Sequence, residues 1–175
     1  RSPETLTIPT AGVLNPQEGA IVVQAYIDPT GRHSDSTDFS FLLMTRNGGA
    51  YNNRISVRKL PDSMAWDVIF GDASGNYTTL NFGQITEKGW YYFAIKWSAS
   101  RIAAFLNGDL KDENFSPTLP TEFDDTLSIG TFRPYGTKAY ELSSLIDELA
   151  IFDYAPTDEE IQAWYEADAP FYALD

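Results

Sequence analysis

The chain has 175 residues, 43% apolar and 14% aromatic, with 25 acidic against 12 basic side chains and a net charge of −13. Such a chain is long and apolar enough for one folded domain, and its acidity would repel nucleic acid and anionic membranes, which leaves solubility as the simplest use of the charge. Without cysteine it has no disulfide, thiolate metal site or thiol nucleophile, and no apolar run approaches the roughly 18 residues of a membrane helix.

Residues 1–5 read as a linker, and the start at Arg1-Ser-Pro without Met reads as an excised module or processed piece of a larger polypeptide. A short edge strand is expected at 6–8, ahead of Pro9. Residues 12–19 form a loop with the turn signal Asn15-Pro16. Residues 21–27 are rich in β-branched side chains and predict a strand. A turn at 28–31 and a polar loop at 32–38 lead to a strand at 39–44. The Gly- and Asn-rich segment 47–53 is another loop. Residues 54–59 alternate, with Ile55 and Val57 on one face and Arg54, Ser56 and Arg58 on the other, which predicts a half-exposed strand. Residues 66–70 and 77–82 form a pair across the loop at 71–76. Residues 90–97 and 102–106 form a hairpin, closed at its far end by Asn107-Gly108, a strong turn signal. Residues 111–125 show no pattern and read as a surface connection. A short strand at 127–129 and a loop at 131–140 follow.

The end of the chain carries the densest pattern. Leu145, Ile146, Leu149, Ala150, Ile151 and Phe152 place apolar groups on both faces of one strand, which predicts a strand covered on both sides. Pro156 stops it. Thr157 and Glu160 have the spacing of a capping box, and Ile161, Trp164 and Tyr165 form one apolar stripe of a short helix. Residues 167–175 read as an exit tail.

Several segments together resemble a known family. Ile146-Asp-Glu-Leu-Ala-Ile-Phe-Asp with Thr157-Asp-Glu-Glu-Ile161 is similar to the closing motif of laminin-G-like, concanavalin A-like jelly-roll domains. Gly89-Trp-Tyr-Tyr-Phe-Ala-Ile-Lys-Trp97 followed by Ile102-Ala-Ala-Phe-Leu-Asn-Gly108 resembles that family's central hairpin, residues 20–27 its early strand and 127–130 a late one. The resemblance implies an all-β fold: an antiparallel β-sandwich of the concanavalin A-like jelly-roll type over residues 6–166, with one short C-terminal helix. About ten short strands without a repeat period point to the same class.

The scaffold alone does not give a function. Resemblance to the sandwich glucanases would require Glu-x-Asp-x-x-Glu on one strand, so that two carboxylates stand about 5 Å apart. Glu122-Phe-Asp124 begins that string, but Leu127 holds the last place. The single histidine, His33, lies in a polar loop with no nucleophile motif nearby. An enzyme is therefore not expected. Resemblance to calcium-bearing relatives implies a rim ion, for which Asp28 and Asp147 are the metal candidates, with Asp35 and Asp38 as further oxygens. A sugar site wants an aromatic platform beside hydrogen-bonding amides and guanidinium groups. Tyr51, Asn53 and Arg54 supply this in one loop, Arg133 and Tyr135 in another, and Trp66 could complete the face. The competing role for Trp66 is core, and core is the expectation for Trp90 and Trp97. The reading is a non-catalytic carbohydrate-binding module for a glycan or polysaccharide, within a larger extracellular, cell-surface or virion-surface protein. Phage tail proteins and secreted carbohydrate-active enzymes are the hosts the resemblance suggests. The alternatives are a spacer or protein-interaction domain that binds no sugar, and a glycoside hydrolase.

Overall fold

Alternating apolar residues build two antiparallel sheets, whose inner faces bury a common core. The computed structural model describes residues 6–29, 39–45, 51–132, 140–142 and 144–172. The strands are β1 (Leu6–Pro9), β2 (Gly19–Ile27), β3 (Ser40–Thr45), β4 (Arg54–Lys59), β5 (Ala65–Gly71), β6 (Tyr77–Gln84), β7 (Gly89–Ser98), β8 (Arg101–Leu106), β9 (Asp109–Asn114), β10 (Thr126–Ile129), β11 (Thr131–Phe132), β12 (Tyr140–Glu141) and β13 (Leu145–Phe152), with one helix, α1 (Asp158–Tyr172). The larger sheet has the order β1-β10-β3-β4-β5-β6 and the smaller β13-β2-β7-β8-β9, while β11 and β12 pair as a small ribbon. The concanavalin A-like sandwich expected from the sequence is the observed fold.

Ile21, Val23, Ala25 and Ile27 of β2 meet Ile55, Val57, Val68 and Phe70 of the larger sheet in the core. Aromatic contacts tie the sheets together: the Trp66 and Phe93 rings are 5.1 Å apart, and those of Phe70 and Trp97 6.2 Å. Trp97 is fully buried and its indole N–H donates to the Asn15 carbonyl at 2.9 Å. A buried indole with its one donor satisfied adds apolar area at no polar cost.

Strand β13 lies at an edge, paired only with β2, and a bulge between Ile146 and Glu148 shifts its register. The extra residue lets Ile146 face the core together with Leu149 and Ile151, while Ala150 and Phe152 face outward. Both faces are apolar because both are covered, the outer one by α1. Both faces are covered as the sequence predicts, while the edge position leaves every residue of the strand at least partly exposed.

The capping box forms: the Thr157 N–H donates to the Glu160 carboxylate at 2.7 Å and the Glu160 N–H to the Thr157 hydroxyl at 3.1 Å. Ile161, Trp164 and Tyr165 then close a second apolar cluster with Val22, Tyr92 and Phe105. Complete burial of Ile161 contributes about 1.5–3 kcal/mol. An ionic clasp holds the helix start. Arg101 donates twice to Asp158, at 2.9 Å each, Lys96 pairs with the same carboxylate, and the Lys96 ammonium donates to the Pro156 carbonyl at 2.7 Å. The helix runs on to Tyr172 rather than giving way to a tail at 167. Among the described residues no helix is long and apolar enough to cross a membrane.

Candidate functional site

The outer face of the larger sheet carries a polar layer set by strand register. Arg54, Gly71 and Tyr77 share one row across β4, β5 and β6; Met44, Ser56, Ile69 and Thr79 share the next; Phe41, Arg58, Asp67 and Asn81 a third. The middle of this face is buried: Arg54 is 5% exposed, Arg58 9% and Asp67 3%. The half-exposed strand expected at 54–59 is thus covered on both faces. Burial is tolerable where a charge is paired, as Arg58 and Asp67 are. Arg58 grips Asp67 through two bonds of 2.7 and 3.0 Å, and its guanidinium lies 4.1 Å from the Phe39 ring. Arg54 donates to the Ser56 hydroxyl at 2.8 Å and stands 5.4 Å from both the Phe41 and Tyr51 rings.

At the margin of this layer, residues 51–53 fold back over the end of β5. Close approach is possible because residue 71 is glycine: a Cβ there would stand 1.9 Å from the Tyr51 carbonyl oxygen. Asn53 takes a left-handed conformation with φ 44°, which asparagine tolerates better than most residues. Its N–H donates to the Asp72 carbonyl at 2.9 Å, and its side-chain oxygen accepts from the Thr121 N–H at 2.9 Å and the Thr121 hydroxyl at 3.2 Å. The neighbouring turn is organised by the Asp72 carboxylate, which accepts from the Ser74 and Asn76 N–H groups and the Asn76 amide. The Asn76 amide, followed by these backbone donors, holds the Asp72 carboxyl below the usual carboxylate range.

These two segments bring Tyr51 and Tyr77 together as a stacked pair, with centroids 4.4 Å apart and planes 18° from parallel. Tyr77 is 51% exposed. One ring braced by another, with the Asn52 and Asn76 amides in the flanking segments, is a rigid apolar surface with polar edges. Such a surface suits a ligand with C–H faces and hydroxyl rims.

Of the sequence candidates, Tyr51 belongs to this pair and Arg54 lies against it. Asn53 is 3% exposed and its amide oxygen is engaged by Thr121, so it positions the loop. Trp66 is corrected from platform to core: it is 1% exposed, beside Phe93. It alternates with Val68 and Phe70, so all three share the inner face. Arg133 and Tyr135 lie outside the described residues, as do Asp35 and Asp38. Asp28 forms an ion pair with Lys88 at 3.2 Å, and Asp147 is exposed at the β13 bulge and not enclosed among apolar neighbours. No three acidic, histidine or cysteine side chains gather to hold a metal among the described residues.

Tyr77 escaped the sequence reading; its only signal is the register that sets it opposite Gly71, beside the Tyr51 loop. Trp90 is also reassigned. It is half-buried on the outer face of the smaller sheet, edge-on to Tyr26 at 5.5 Å and 70°. Its offset from Trp97 along the strand is odd, so the two must face opposite ways.

The chain belongs to the concanavalin A-like lectin/glucanases superfamily, whose laminin-G-type family model matches residues 4–162. No curated protein matches the sequence. Among solved structures it is similar to the binding domain of botulinum neurotoxin DC, solved in complex with SialylT, with a TM-score of 0.69 and 11% identity over 93% of this chain and 39% of that one. It is also similar to the CBM40 domain of the Ruminococcus gnavus IT-sialidase, with a TM-score of 0.65 and 19% identity over 86% of this chain and 83% of that one. The same CBM40 domain bound to α2,3-sialyllactose gives a TM-score of 0.63 and 16% identity, over 85% and 83%. At these identities the likeness is one of fold. The chain spans well under half of the neurotoxin domain and most of the CBM40 domain.

Proposed function

We propose that this domain is a non-catalytic carbohydrate-binding module of a larger extracellular or virion-surface protein, and that it holds glycan at the margin of the larger sheet. The observation that carries this reading is the Tyr51–Tyr77 stack, half-exposed at Tyr77 and braced from behind by Gly71 and Asn53. Sugar rings dock on such braced aromatic faces through their C–H groups, while flanking amides take the hydroxyls. Two of the similar structures hold SialylT and α2,3-sialyllactose, which supports including sialylated glycans among the candidates. Calcium enters as a condition of the test, since Asp28 and Asp147 reach an ion only with further ligands.

A second reading, a spacer that binds no sugar, draws on the Arg58–Asp67 pair, because a sheet face satisfied by its own charges needs no ligand. A glycan array, with neutral and α2,3-sialylated members and with and without calcium, separates the two. Binding to a defined glycan that falls at least about tenfold on Tyr77→Ala, with an unchanged melting temperature, supports the module. An array with no binding in either condition favours the spacer. Undiminished binding by the variant removes the tyrosine stack from the site.

A further inference from the structure

A cavity of about 460 Å³ lies between α1 and the outer face of the smaller sheet, away from the tyrosine stack. Phe152, Tyr154, Trp164 and Tyr92 supply its aromatic lining. The Phe152 and Trp164 rings are stacked at 4.6 Å, and Tyr154 meets Phe152 edge-on at 5.8 Å. Two carboxylates, Glu148 from β13 and Asp168 from α1, also line it, and among the described residues the lining contains no Lys, Arg or His. Neither carboxylate joins an ion pair among the described residues.

Two further observations point to a missing donor. Gln24 stands in register between Glu148 and Tyr92, is 3% exposed, and its side-chain oxygen has no hydrogen-bond partner. Buried acceptors of this kind are normally matched. The Tyr92 hydroxyl is pushed toward its neutral form, by burial first and then by the charges of Asp168 and Glu148. The polar groups of the lining, Glu148, Asp168 and the Tyr92 hydroxyl, can all accept a hydrogen bond, and Gln24, in register between Glu148 and Tyr92, adds a buried acceptor without a donor. Two carboxylates on aromatic walls are too few oxygens for a hard metal ion. They match an N–H-bearing organic cation, which aromatic faces also attract.

We propose that this cavity is a binding site for a protonated primary amine carried on an apolar or sugar frame. Glu148 and Asp168 hold the ammonium, and Phe152, Tyr154 and Trp164 hold the frame. The size falls in the range of small-molecule sites. The proposal does not rest on the glycan reading, since its residues lie on the opposite sheet from Tyr51 and Tyr77.

The test is titration of the whole chain, followed by the NMR signal of the Trp164 indole N–H. Two matched pairs serve as probes: 1,5-diaminopentane against 1,5-pentanediol, and glucosamine against N-acetylglucosamine. Each amine is expected to bind at least about tenfold more tightly than its neutral partner, and the double variant Glu148→Gln/Asp168→Asn to lose that difference. Response to diaminopentane alone identifies an alkyl amine, and stronger response to glucosamine an amino sugar. Tyr77→Ala should leave amine binding as it is. Equal binding of the neutral partners, or an amine preference that survives the double variant, overturns the proposal. Because Glu148 is exposed, Glu148→Gln alone retains the fold and serves for the same comparison if the double variant melts early.

Discussion

Asn53 makes the sharpest test of how the loop beside the tyrosine stack is built. Its substitution by Ala removes two things. The side-chain oxygen no longer accepts from Thr121, which leaves the partly buried Thr121 N–H without its partner, at about 2 kcal/mol. The backbone stays at φ 44°, which costs a Cβ-bearing residue about 1 kcal/mol more. The sum is about 3 kcal/mol, and at about 3 °C per kcal/mol for a chain of this size the melting temperature should fall by about 9 °C. Asn53→Gly loses the bonds but not the backbone fit, so its fall should be near 6 °C; Asn53→Asp keeps an acceptor oxygen and should stay within about 2 °C. The assay is thermal unfolding of the three variants by circular dichroism. If Ala is no worse than Gly, the left-handed backbone contributes nothing and the account of this loop fails. If all three match the parent, Asn53 does not position the loop at all.

Two further outcomes follow from the fold. Trp97→Ala should cost about 3–5 kcal/mol as a core deletion, whereas Trp90→Ala, on a half-exposed outer face, should cost roughly 1–2 kcal/mol; equal losses in chemical denaturation would contradict the opposite facing of the two rings. For the helix clasp, hydrogen bonding from Arg101, aided by Lys96, holds the Asp158 carboxyl below the usual carboxylate range. A folded value below the unfolded one of about 3.9 contributes stability above that pH and loses it as pH falls through the folded value. Asp158→Asn should therefore lower the melting temperature at neutral pH and flatten its decline below about pH 4; parallel pH curves for the two proteins would refute this role.

The sandwich was legible because its inner residues alternate strictly and its turns carry chemistry. Asn107 and Gly108 indeed adopt φ 54° and 78°, the pair of positive angles a tight hairpin needs. The capping box could be read for the same reason: its two side chains act locally. Strand β9 could not be read. Asp109–Asn114 is an edge strand with only one apolar side chain, Leu110, which is 41% exposed, so there is no buried face to imprint a period. Trp90 and Trp66 were readable by parity, since each shares a face with residues of known destiny along its own strand. The Arg54-Ser56-Arg58 face was not. Alternation shows that a face is polar, but not whether water or a partner from another strand meets it, and here Asp67 and a set of aromatic rings do. Tyr77 was hidden for a related reason: its partner, Tyr51, comes from a loop whose fold-back depends on the space left at Gly71.

These placements constrain where a ligand can sit. The inner faces of both sheets are closed by the core. The centre of the larger sheet's outer face is closed as well, by the Arg58–Asp67 pair and by Arg54, all less than a tenth exposed. The outer face of the smaller sheet is divided, with α1 over one end and Tyr26 and Trp90 half-exposed at the other. Three of the places left open among the described residues are marginal: the Tyr51–Tyr77 stack at one edge, the Tyr26–Trp90 pair, and the cavity beneath α1. Each joins aromatic surface to polar groups, yet their charges differ. Arg54 stands behind the first, Lys88 beside the second, and Glu148 with Asp168 in the third. A domain with net charge −13 thus offers its cations next to two aromatic surfaces and its carboxylates next to the other. A ligand's own charge should decide which margin it occupies.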